Sequence, residues 1–330
     1  MLTARAILTA VARVRGSALK ATVQARTLLH SGTTRFYRDD YGRPGRRYND
    51  HDKDYDQEHY DRGRGRRHDD GFGRGPPRRR YDRDQDRDFG AGLLDAVKDW
   101  SETDAPKRVD YVQPSAAADR TDAEVHAFLE AAAISVVRGG QDAPKPAMNF
   151  DETGFDAEIL EGLAKAGFER PMPIQAAGWP VAMSGRDLVA IGQTGSGKTL
   201  GYLLPALQAV AARAAEGGSL RRSEGPSALV LAPTRELAQQ IERVAVKFGR
   251  GLARTVCVYG GSGKAYQLEQ LDRGVDVLVA TPGRLIDLLQ TGEVSLGRCD
   301  YVVLDEADRM LDMGFEPQIR KVLSQVRWGK

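Results

Sequence analysis

Hydrophobic residues in the C-terminal half of the chain alternate between short aliphatic runs and longer stretches with helical spacing. Five runs of four to six residues predict strands, because they are rich in β-branched residues and too short for a buried helix. These strands are Leu188–Ile191, Ala228–Ala232, Thr255–Tyr259, Val275–Ala280 and Tyr301–Asp305. Helical spacing is found at Asp156–Ala166, Ile174–Met183, Leu200–Ala215, Glu236–Phe248, Tyr266–Arg273, Leu285–Gln290 and Glu316–Val326. This alternation predicts an α/β fold whose parallel sheet is covered by helices on both faces.

The N-terminal part of the chain lacks this alternation. Residues 36–90 contain no Ile, Leu, Val or Met, so they cannot bury a core and are expected to be disordered. Residues 91–147 are expected to form a linker that contains a short helix at Asp122–Ala133. We therefore divide the chain into residues 1–35, 36–90 and 91–147, followed by one folded domain at residues 148–330.

The first residues have the composition of a targeting segment. Residues 1–38 carry seven Arg or Lys and no Asp or Glu, and a helix formed here would have one basic and one apolar face. This composition is typical of a mitochondrial transit peptide, expected at residues 1–35. Arg26, Leu28 and Ser31 resemble the spacing around a presequence cleavage site, which would start the mature chain near Phe36. An ordinary disordered basic N-terminus, for example an arm that binds nucleic acid, is the other interpretation.

Residues 36–90 combine arginine, glycine and aromatic residues. Their Arg-Gly spacing and interleaved rings would suit loose contact with RNA through guanidinium and base stacking. These rings belong to Tyr37, Tyr41, Tyr48, Tyr55, Tyr60, Phe72 and Tyr81. The segment also holds 15 basic and 14 acidic side chains, and a solvated linker with compensated charge is the other interpretation.

The charge of the whole chain, 48 basic against 46 acidic residues, excludes a uniformly basic surface. Residues 151–330 carry 21 basic and 22 acidic side chains, so any contact with nucleic acid there has to be local. Cys257 and Cys299 lie in or beside apolar runs, which predicts buried thiols rather than a disulfide or a metal site. No stretch of 18 consecutive apolar residues predicts a membrane span.

The strand at Leu188–Ile191 leads into a glycine-rich turn and then a helix. Its sequence, GQTGSGKT at residues 192–199, has the spacing of a phosphate-binding loop in the strand-to-helix context that this loop requires. Backbone N–H groups and the helix N-terminus would face the phosphates, while Lys198 supplies a charge and Thr199 a hydroxyl for Mg²⁺. The sequence therefore predicts a site for a nucleoside triphosphate.

The last predicted strand ends in a pair of carboxylates. Asp305 follows YVVL directly, where a hard oxygen ligand for Mg²⁺ would face the phosphates, and Glu306 is placed to orient or deprotonate a water. Both carboxylates belong to the tetrad DEAD at residues 305–308. Because ligands of parallel sheets bind at the carboxyl ends of the strands, we expect these carboxylates to meet the loop at residues 192–199.

Together these motifs resemble the DEAD-box ATP-dependent RNA helicase family, and specifically its first RecA-like domain. The resemblance runs from Phe150 to about Val326, with the motifs in the family's order. It implies an ATP hydrolase and RNA helicase that uses ATP and Mg²⁺. The stretches at residues 134–150, 176–189 and 309–323 look most like the subgroup active in splicing, ribosome assembly and RNP remodelling.

For the nucleotide, the resemblance implies a set of residues beyond the carboxylates. Gln175 would hydrogen-bond the adenine edge, Phe168 would pack near the base, and Phe150 is the further upstream aromatic. Lys198, Asp305 and Glu306 would be catalytic, and Asp308 would couple the site to a second domain. Met172 departs from the family's usual threonine, which removes one hydroxyl from this region. The loop positions implied in ATP binding are Gly192, Gln193, Thr194, Gly195, Ser196, Gly197, Lys198 and Thr199.

For RNA, the resemblance implies three short segments. Their physical features agree with that role, because glycines allow close approach, helix N-termini bind phosphate and arginines add charge. Such contacts read the RNA backbone, so we expect low sequence specificity. The implied residues are Pro233, Thr234, Arg235, Gly260, Gly261, Thr281, Pro282, Gly283 and Arg284.

Family members continue into an S-A-T motif and a second RecA-like domain with arginine fingers, whereas this sequence stops at Lys330. The first hypothesis is an incomplete RNA helicase whose first domain binds ATP and RNA but hydrolyses ATP weakly. The alternative is a natural non-catalytic module that regulates a full-length relative. A metabolic kinase or GTPase agrees poorly with the RNA-facing motifs. We expect RNA as a partner, with RNP proteins as further candidates, no membrane, a monomer, and a mitochondrial location with the nucleus as the alternative.

Overall fold

The computed structural model describes residues 7–13, 111–137, 139, 143–215 and 225–326, with residues 7–13 described by their backbone. The chain divides into two units, residues 1–34 with 90–330 and residues 35–89, and the second lies outside the described residues. The predictions of disorder and RNA contact at residues 36–90 therefore lie outside the described residues. None of the helices in the described part is both long and apolar enough to cross a membrane.

Within the described residues, six strands form one sheet in the spatial order β2-β1-β6-β3-β5-β4. They are β1 Ile7–Arg13, β2 Leu188–Gly192, β3 Ala228–Leu231, β4 Thr255–Val258, β5 Val277–Ala280 and β6 Tyr301–Leu304. All five predicted strands are present, with ends that differ by at most two residues. Strands β4, β5, β3 and β6 run parallel to one another, as the alternation of strands and helices predicted.

Helices cover the sheet from the segments that connect its strands. The helices are α1 Ser115–Ala118, α2 Asp122–Ala131, α3 Ala157–Lys165, α4 Pro173–Met183, α5 Lys198–Ala215, α6 Arg235–Phe248, α7 Lys264–Asp272, α8 Pro282–Gln290, α9 Ala307–Asp312 and α10 Glu316–Ser324, with a 3₁₀ turn at Phe150–Glu152. The predicted helices are confirmed, and α1 and α9 are additional short ones. Helix α8 begins three residues before its predicted start, because Pro282 occupies the first helical position, where its missing N–H costs nothing.

Strand β1 changes the sheet from parallel to mixed. A helix formed by residues 1–35 would have one basic and one apolar face. The structure instead places Ile7–Arg13 in an extended strand between β2 and β6. Ala10 lies opposite Val189 on one side and Leu304 on the other, and both pairings are antiparallel. The segment ILTAVAR is rich in aliphatic and β-branched residues, which also favour a strand.

The core lies in two layers, one on each face of the sheet. Along β3, Leu229 and Leu231 face one layer while Ala228 and Val230 face the other, as the period of two in a strand requires. Side chains from α7, α8 and α10 complete the first layer. Side chains from α3, α4, α5 and α6 complete the second. Both faces of the sheet are therefore buried along β3, β4, β5 and β6, which explains why these strands are continuous hydrophobic runs.

Both cysteines are free and buried, as predicted. Burial raises the pKa of the Cys257 thiol to about 12, and it also raises the pKa of Cys299. Both thiols therefore stay protonated near neutral pH and contribute to packing rather than to chemistry.

The described part of the predicted linker is fastened to the domain by hydrogen bonds. The Lys145 backbone N–H donates to Gln113 Oε1 over 3.2 Å, and Gln113 Nε2 donates back to the Lys145 carbonyl over 2.6 Å. Arg120 forms a 2.9 Å ion pair with Glu152, whose side chain is buried. Because these groups satisfy each other away from water, the helices α1 and α2 are held close to the start of the folded domain.

Candidate functional site

The loop at residues 192–199 joins β2 to α5 and has the conformation expected for binding phosphate. Gly195 and Gly197 have φ angles of 81° and 85°, which side chains other than glycine rarely adopt. A Cβ atom at Gly197 would lie 2.5 Å from Gln175 Nε2 and 2.6 Å from Met172 Sδ. Glycine is therefore required at residue 197 both by its backbone conformation and by the close approach of α4.

Lys198 is half-buried at the start of α5 and points back over the loop. Its Nζ donates to the Gly192 carbonyl over 2.7 Å and to Ser196 Oγ over 3.2 Å. Burial lowers the pKa of Lys198, while the negative charges of Asp305, Asp308 and Glu306 act in the opposite direction. The structure thus brings the predicted lysine and the three carboxylates of the DEAD tetrad into one electrostatic site.

Gln175 connects the segment implied in adenine recognition to the phosphate loop. The side chain is 2% exposed; its Oε1 accepts from the Met172 N–H and its Nε2 donates to the Gly197 carbonyl, each over 3.0 Å. Each end of the amide retains one further hydrogen-bonding position for a ligand. Met172 caps α4 without a side-chain hydrogen bond, in agreement with the loss of a hydroxyl expected there.

The two predicted aromatic residues pack in different places. The Phe150 ring lies 6.3 Å from the Trp179 ring of α4, the helix that also carries Gln175. The Phe168 ring lies 6.4 Å from the ring of Phe248, the last residue of α6. Phe150 is therefore connected to the nucleotide side of the domain through α4, whereas Phe168 contacts the end of a different helix.

Asp305 is held by groups from two directions at the end of β6. Tyr202 Oη donates to its Oδ2 over 2.9 Å, and the Glu306 N–H donates to its Oδ1 over 3.1 Å. Tyr202 is 1% exposed, and burial raises its pKa well above the ordinary value, with the Asp305 charge adding to the effect. The hydroxyl therefore stays protonated and acts as a donor. The sequence did not single out Tyr202, although a hydroxyl within the apolar stretch LGYLLPAL was a signal.

Glu306 has a strained backbone. Its φ and ψ are 50° and 46°, the left-handed conformation, which is uncommon for a residue with a side chain. Its carboxylate accepts from Arg309 over 3.0 Å and is 19% exposed. Asp308 lies in the first turn of α9, directly after this bend. Strain of this kind persists where the surroundings impose it and is concentrated at functional sites.

The segments implied in RNA binding meet at the carboxyl ends of β3, β4 and β5. Thr234 caps α6 by accepting from the Leu237 N–H over 3.3 Å, and the Arg235 guanidinium lies 5.4 Å from the centre of the Tyr259 ring. Gln239 Nε2 donates to Tyr259 Oη over 2.9 Å. Tyr259, which the sequence did not single out, thereby connects the start of α6 to the loop that follows β4.

The loop after β4 and the start of α8 form the rest of this surface. Gly260 and Gly261 are exposed, and Thr281 donates its N–H to the Val258 carbonyl over 3.0 Å as α8 begins. Pro282 is buried at the first position of α8, and Gly283 follows it. These residues present mainly backbone rather than charged side chains at the surface.

Arg284 is directed into the protein rather than outward. Its side chain is 12% exposed and donates from Nη1 to Gln267 Oε1 over 2.8 Å and from Nη2 to the Ser262 carbonyl over 3.1 Å. Its Nε lies 3.8 Å from an Asp287 carboxylate oxygen. The structure therefore places Arg284 beside the predicted RNA surface, with its hydrogen bonds holding the loop at Ser262.

The part of the chain that contains these segments is similar to known proteins. Residues 172–330 match the family model described as DEAD/DEAH box helicase. "DEAD-box ATP-dependent RNA helicase 20" of Arabidopsis thaliana is 48% identical over 242 residues, which cover 70% of this chain and 47% of the relative. "DEAD-box ATP-dependent RNA helicase 30" of the same plant is 52% identical over 218 residues, which cover 66% and 36%. The chain thus spans less than half the length of these relatives.

Two solved structures have the same domain fold. The yeast DEAD-box splicing factor Prp28 is 31% identical with a TM-score of 0.56, over 63% of this chain and 49% of that one. The RNA helicase Prp28 from Chaetomium thermophilum bound to ADP is 37% identical with a TM-score of 0.55, over 66% and 50%. The predicted RecA-like fold is confirmed by this similarity.

Proposed function

Because residues 172–330 form a DEAD/DEAH box helicase domain, we propose that this chain is the ATP- and RNA-binding half of an ATP-dependent RNA helicase. One observation carries the proposal: Tyr202, in the helix that begins at the phosphate loop, donates a 2.9 Å hydrogen bond to Asp305 of the DEAD tetrad. The carboxylates of Asp305, Asp308 and Glu306 also act on the pKa of Lys198, which they raise against the effect of burial. A loop that binds phosphate and a buried carboxylate beside it are the two halves of an ATPase site.

The nucleotide would be bound mainly by the loop backbone. The N–H groups of residues 192–199 and the start of α5 face the phosphates, while Gln175 offers its remaining amide positions to the adenine. Lys198 would exchange its contacts with Gly192 and Ser196 for phosphate oxygens. These residues bind and orient ATP before any chemistry takes place.

The residues around Asp305 fit a magnesium ion. Asp305 is a buried carboxylate, and Thr199 contributes a side-chain hydroxyl that hydrogen-bonds with Tyr202. In the described part of the chain, no group of three or more His, Cys, Asp and Glu residues is arranged to hold a metal alone. Mg²⁺ usually takes one or two protein ligands together with phosphate oxygens and waters, and it would supply charge neutralisation at the phosphates. Asp305 and Thr199 would hold it, partly through water.

Glu306 is the candidate for orienting the attacking water. It follows β6 directly in a left-handed backbone conformation, and its carboxylate accepts a 3.0 Å hydrogen bond from Arg309. We propose that RNA-stimulated hydrolysis requires a second RecA-like domain, supplied by the same polypeptide or by a full-length relative. Asp308 would couple the nucleotide site to that domain.

RNA would bind along the edge formed by Thr234, Arg235, the Gly260–Gly261 loop and the start of α8. Two helix N-termini and an exposed glycine loop offer backbone N–H donors, which recognise phosphates without reading bases. We therefore propose single-stranded RNA as the substrate class, with low sequence specificity.

The proposal is tested by titrating the purified chain with a fluorescent ATP analogue and with fluorescent single-stranded RNA oligonucleotides. We expect Mg²⁺-dependent binding of the ATP analogue, weaker binding of the GTP analogue, and similar RNA affinities for oligonucleotides of unrelated sequence. Equal affinity for ATP and GTP, or recognition of one RNA sequence alone, would contradict it.

We also propose that residues 1–35 direct the protein to mitochondria, with the nucleus as the alternative location. The support is their basic, acid-free composition. Cleavage near Phe36 would remove β1 and leave β2 and β6 without the strand between them. Import of the chain into isolated mitochondria, with N-terminal sequencing of the product, tests the proposal; a chain that stays outside would overturn it.

A further inference from the structure

Gln267 is a buried polar residue whose side chain contacts both sides of the Gly260–Gly261 loop. It lies in α7, is 4% exposed and uses both ends of its amide. Its Nε2 donates to the Tyr259 carbonyl over 3.1 Å and to Ser262 Oγ over 2.7 Å, and its Oε1 accepts from Arg284 over 2.8 Å. Since a buried amide is stable only when its hydrogen bonds are made, these contacts hold Gln267 in one orientation.

These hydrogen bonds enclose the Gly260–Gly261 loop from both sides. Gln267 holds the residue before the glycines, Tyr259, and the residue after them, Ser262. Arg284 Nη2 donates a further hydrogen bond to Ser262, over 3.1 Å to its carbonyl. The residues on either side of the glycines are therefore hydrogen-bonded to α7, and Ser262 is also hydrogen-bonded to the first turn of α8.

The glycines themselves contribute little to their own order. Both are exposed, Gly261 has a φ of 80°, and a Cβ built at either position would meet no atom within 4 Å. Glycine loses more backbone conformational entropy on ordering than any other residue. No neighbouring side chain among the described residues packs closely enough to restrict these two glycines. The conformation of the loop is consequently set by the hydrogen bonds at its two ends.

We propose that Gln267 is a positioning residue that orders the Gly260–Gly261 loop before RNA binds. The proposal rests on the proposed function, because the loop is assigned to the RNA backbone. A loop that is already ordered loses less conformational entropy when its N–H groups contact phosphates, so RNA binds more tightly. Arg284 acts with Gln267 on the same loop, and its charge is balanced by the Asp287 carboxylate, which also pairs with Lys264 over 3.2 Å.

The experiment compares Gln267→Met with Gln270→Met in the full chain. Methionine has a similar length and cannot make the three hydrogen bonds. Gln270 lies one turn further along α7, and its amide accepts from Arg254 over 3.4 Å, away from the loop. The measurements are the Kd for a fluorescent single-stranded RNA in the presence of Mg²⁺ and an ATP analogue, the Kd for the ATP analogue, and hydrogen exchange of the amides at residues 260–262.

We expect Gln267→Met to weaken RNA binding roughly 5- to 30-fold, the equivalent of re-ordering about one backbone residue on binding. The affinity for the ATP analogue should stay within about two-fold, and the amides at residues 260–262 should exchange faster. Gln270→Met should leave all three measurements unchanged. A second variant, Gln267→Glu, keeps an acceptor for Arg284 but turns a carboxylate oxygen towards the Tyr259 carbonyl, so it should weaken RNA binding as well.

The inference is overturned if RNA affinity and loop exchange are the same in Gln267→Met, Gln267→Glu and Gln270→Met. It is also overturned if RNA and nucleotide affinity fall together in both Gln267 variants, because Gln267 would then support the whole domain. Failure of the wild-type chain to bind RNA would contradict the proposed function instead. In that case, unchanged amide exchange at residues 260–262 in the variants would still refute the ordering role.

Discussion

The hydroxyl of Tyr202 donates a hydrogen bond of 2.9 Å to Oδ2 of Asp305, across 103 residues of sequence. It joins the helix that begins at the phosphate loop to the strand that delivers the DEAD tetrad. Tyr301 supports the arrangement by donating from its own hydroxyl to the Tyr202 carbonyl over 3.0 Å. The two halves of the proposed nucleotide site are thus joined by the hydrogen bond of one buried phenol.

Tyr202→Phe should lower the free energy of unfolding by about 1.5–3 kcal/mol, the usual value for a hydrogen bond to a charged group. It should also weaken Mg²⁺-dependent binding of ATP, because Asp305 loses the donor that orients it. Urea unfolding and ATP titration at several Mg²⁺ concentrations measure these effects. Tyr301→Phe, which loses a neutral hydrogen bond, is the control and should cost about 0.5–1.5 kcal/mol. Identical behaviour of the two variants would refute the positioning role of Tyr202.

Lys198→Ala should weaken binding of MgATP roughly 10- to 100-fold, because a charged hydrogen-bond donor to phosphate is lost. Glu306→Gln should leave this affinity unchanged and remove residual hydrolysis, since an amide cannot accept a proton from water. Binding is measured with a fluorescent ATP analogue and hydrolysis by phosphate release. Lys165→Ala, which removes an exposed lysine of α3 paired with Glu161, is the control. Unchanged ATP affinity in Lys198→Ala would overturn the assignment of the site.

Glu306→Gly should make the domain more stable than Glu306→Ala by about 1 kcal/mol, although both variants lose the carboxylate. Glycine adopts the left-handed backbone without strain, whereas alanine retains the cost that glutamate bears at φ 50°. Thermal and urea unfolding of the two variants measure the difference. Equal stabilities would mean that the bend at residue 306 stores no strain.

Asp276→Asn should raise the stability of the domain at neutral pH. Burial raises the pKa of Asp276 above 3.8, although its hydrogen bond from the Arg254 N–H opposes the shift. The stability that this group contributes is therefore fully present below pH 3.8 and is lost as pH rises through the folded-state pKa. The asparagine variant avoids that loss, so its advantage should shrink as pH falls from 7 towards 4.

Urea unfolding across this pH range measures the effect at Asp276. Asp272→Asn, an exposed carboxylate at the end of α7, controls for the change in net charge. An advantage for Asp276→Asn that does not vary with pH would show that its ionisation is not the cause.

Much of the fold followed from local patterns in the sequence. Strands β3, β5 and β6 are continuous aliphatic runs because both of their faces are buried, and such runs are recognisable in the sequence without knowledge of the neighbouring strands. The turn at residues 192–199 was recognisable because Gly195 and Gly197 have positive φ angles, which other residues rarely adopt. Its binding of phosphate stays a prediction. The errors at helix starts were small. The sequence predicted that α5 begins at Leu200 and α7 at Tyr266, whereas both helices begin two residues earlier.

The sequence by itself determined the α/β alternation, the buried cysteines and the residues of the two motifs that meet at Lys198. These features depend on spacing and burial, which neighbouring residues set. Only the tertiary structure decided which partner each polar side chain has: Tyr202 with Asp305, Gln175 with Gly197, and Arg284 with Ser262. It also decided that Ile7–Arg13 pairs as a strand. Such choices depend on groups brought together from distant parts of the chain, and no periodicity within a segment records them.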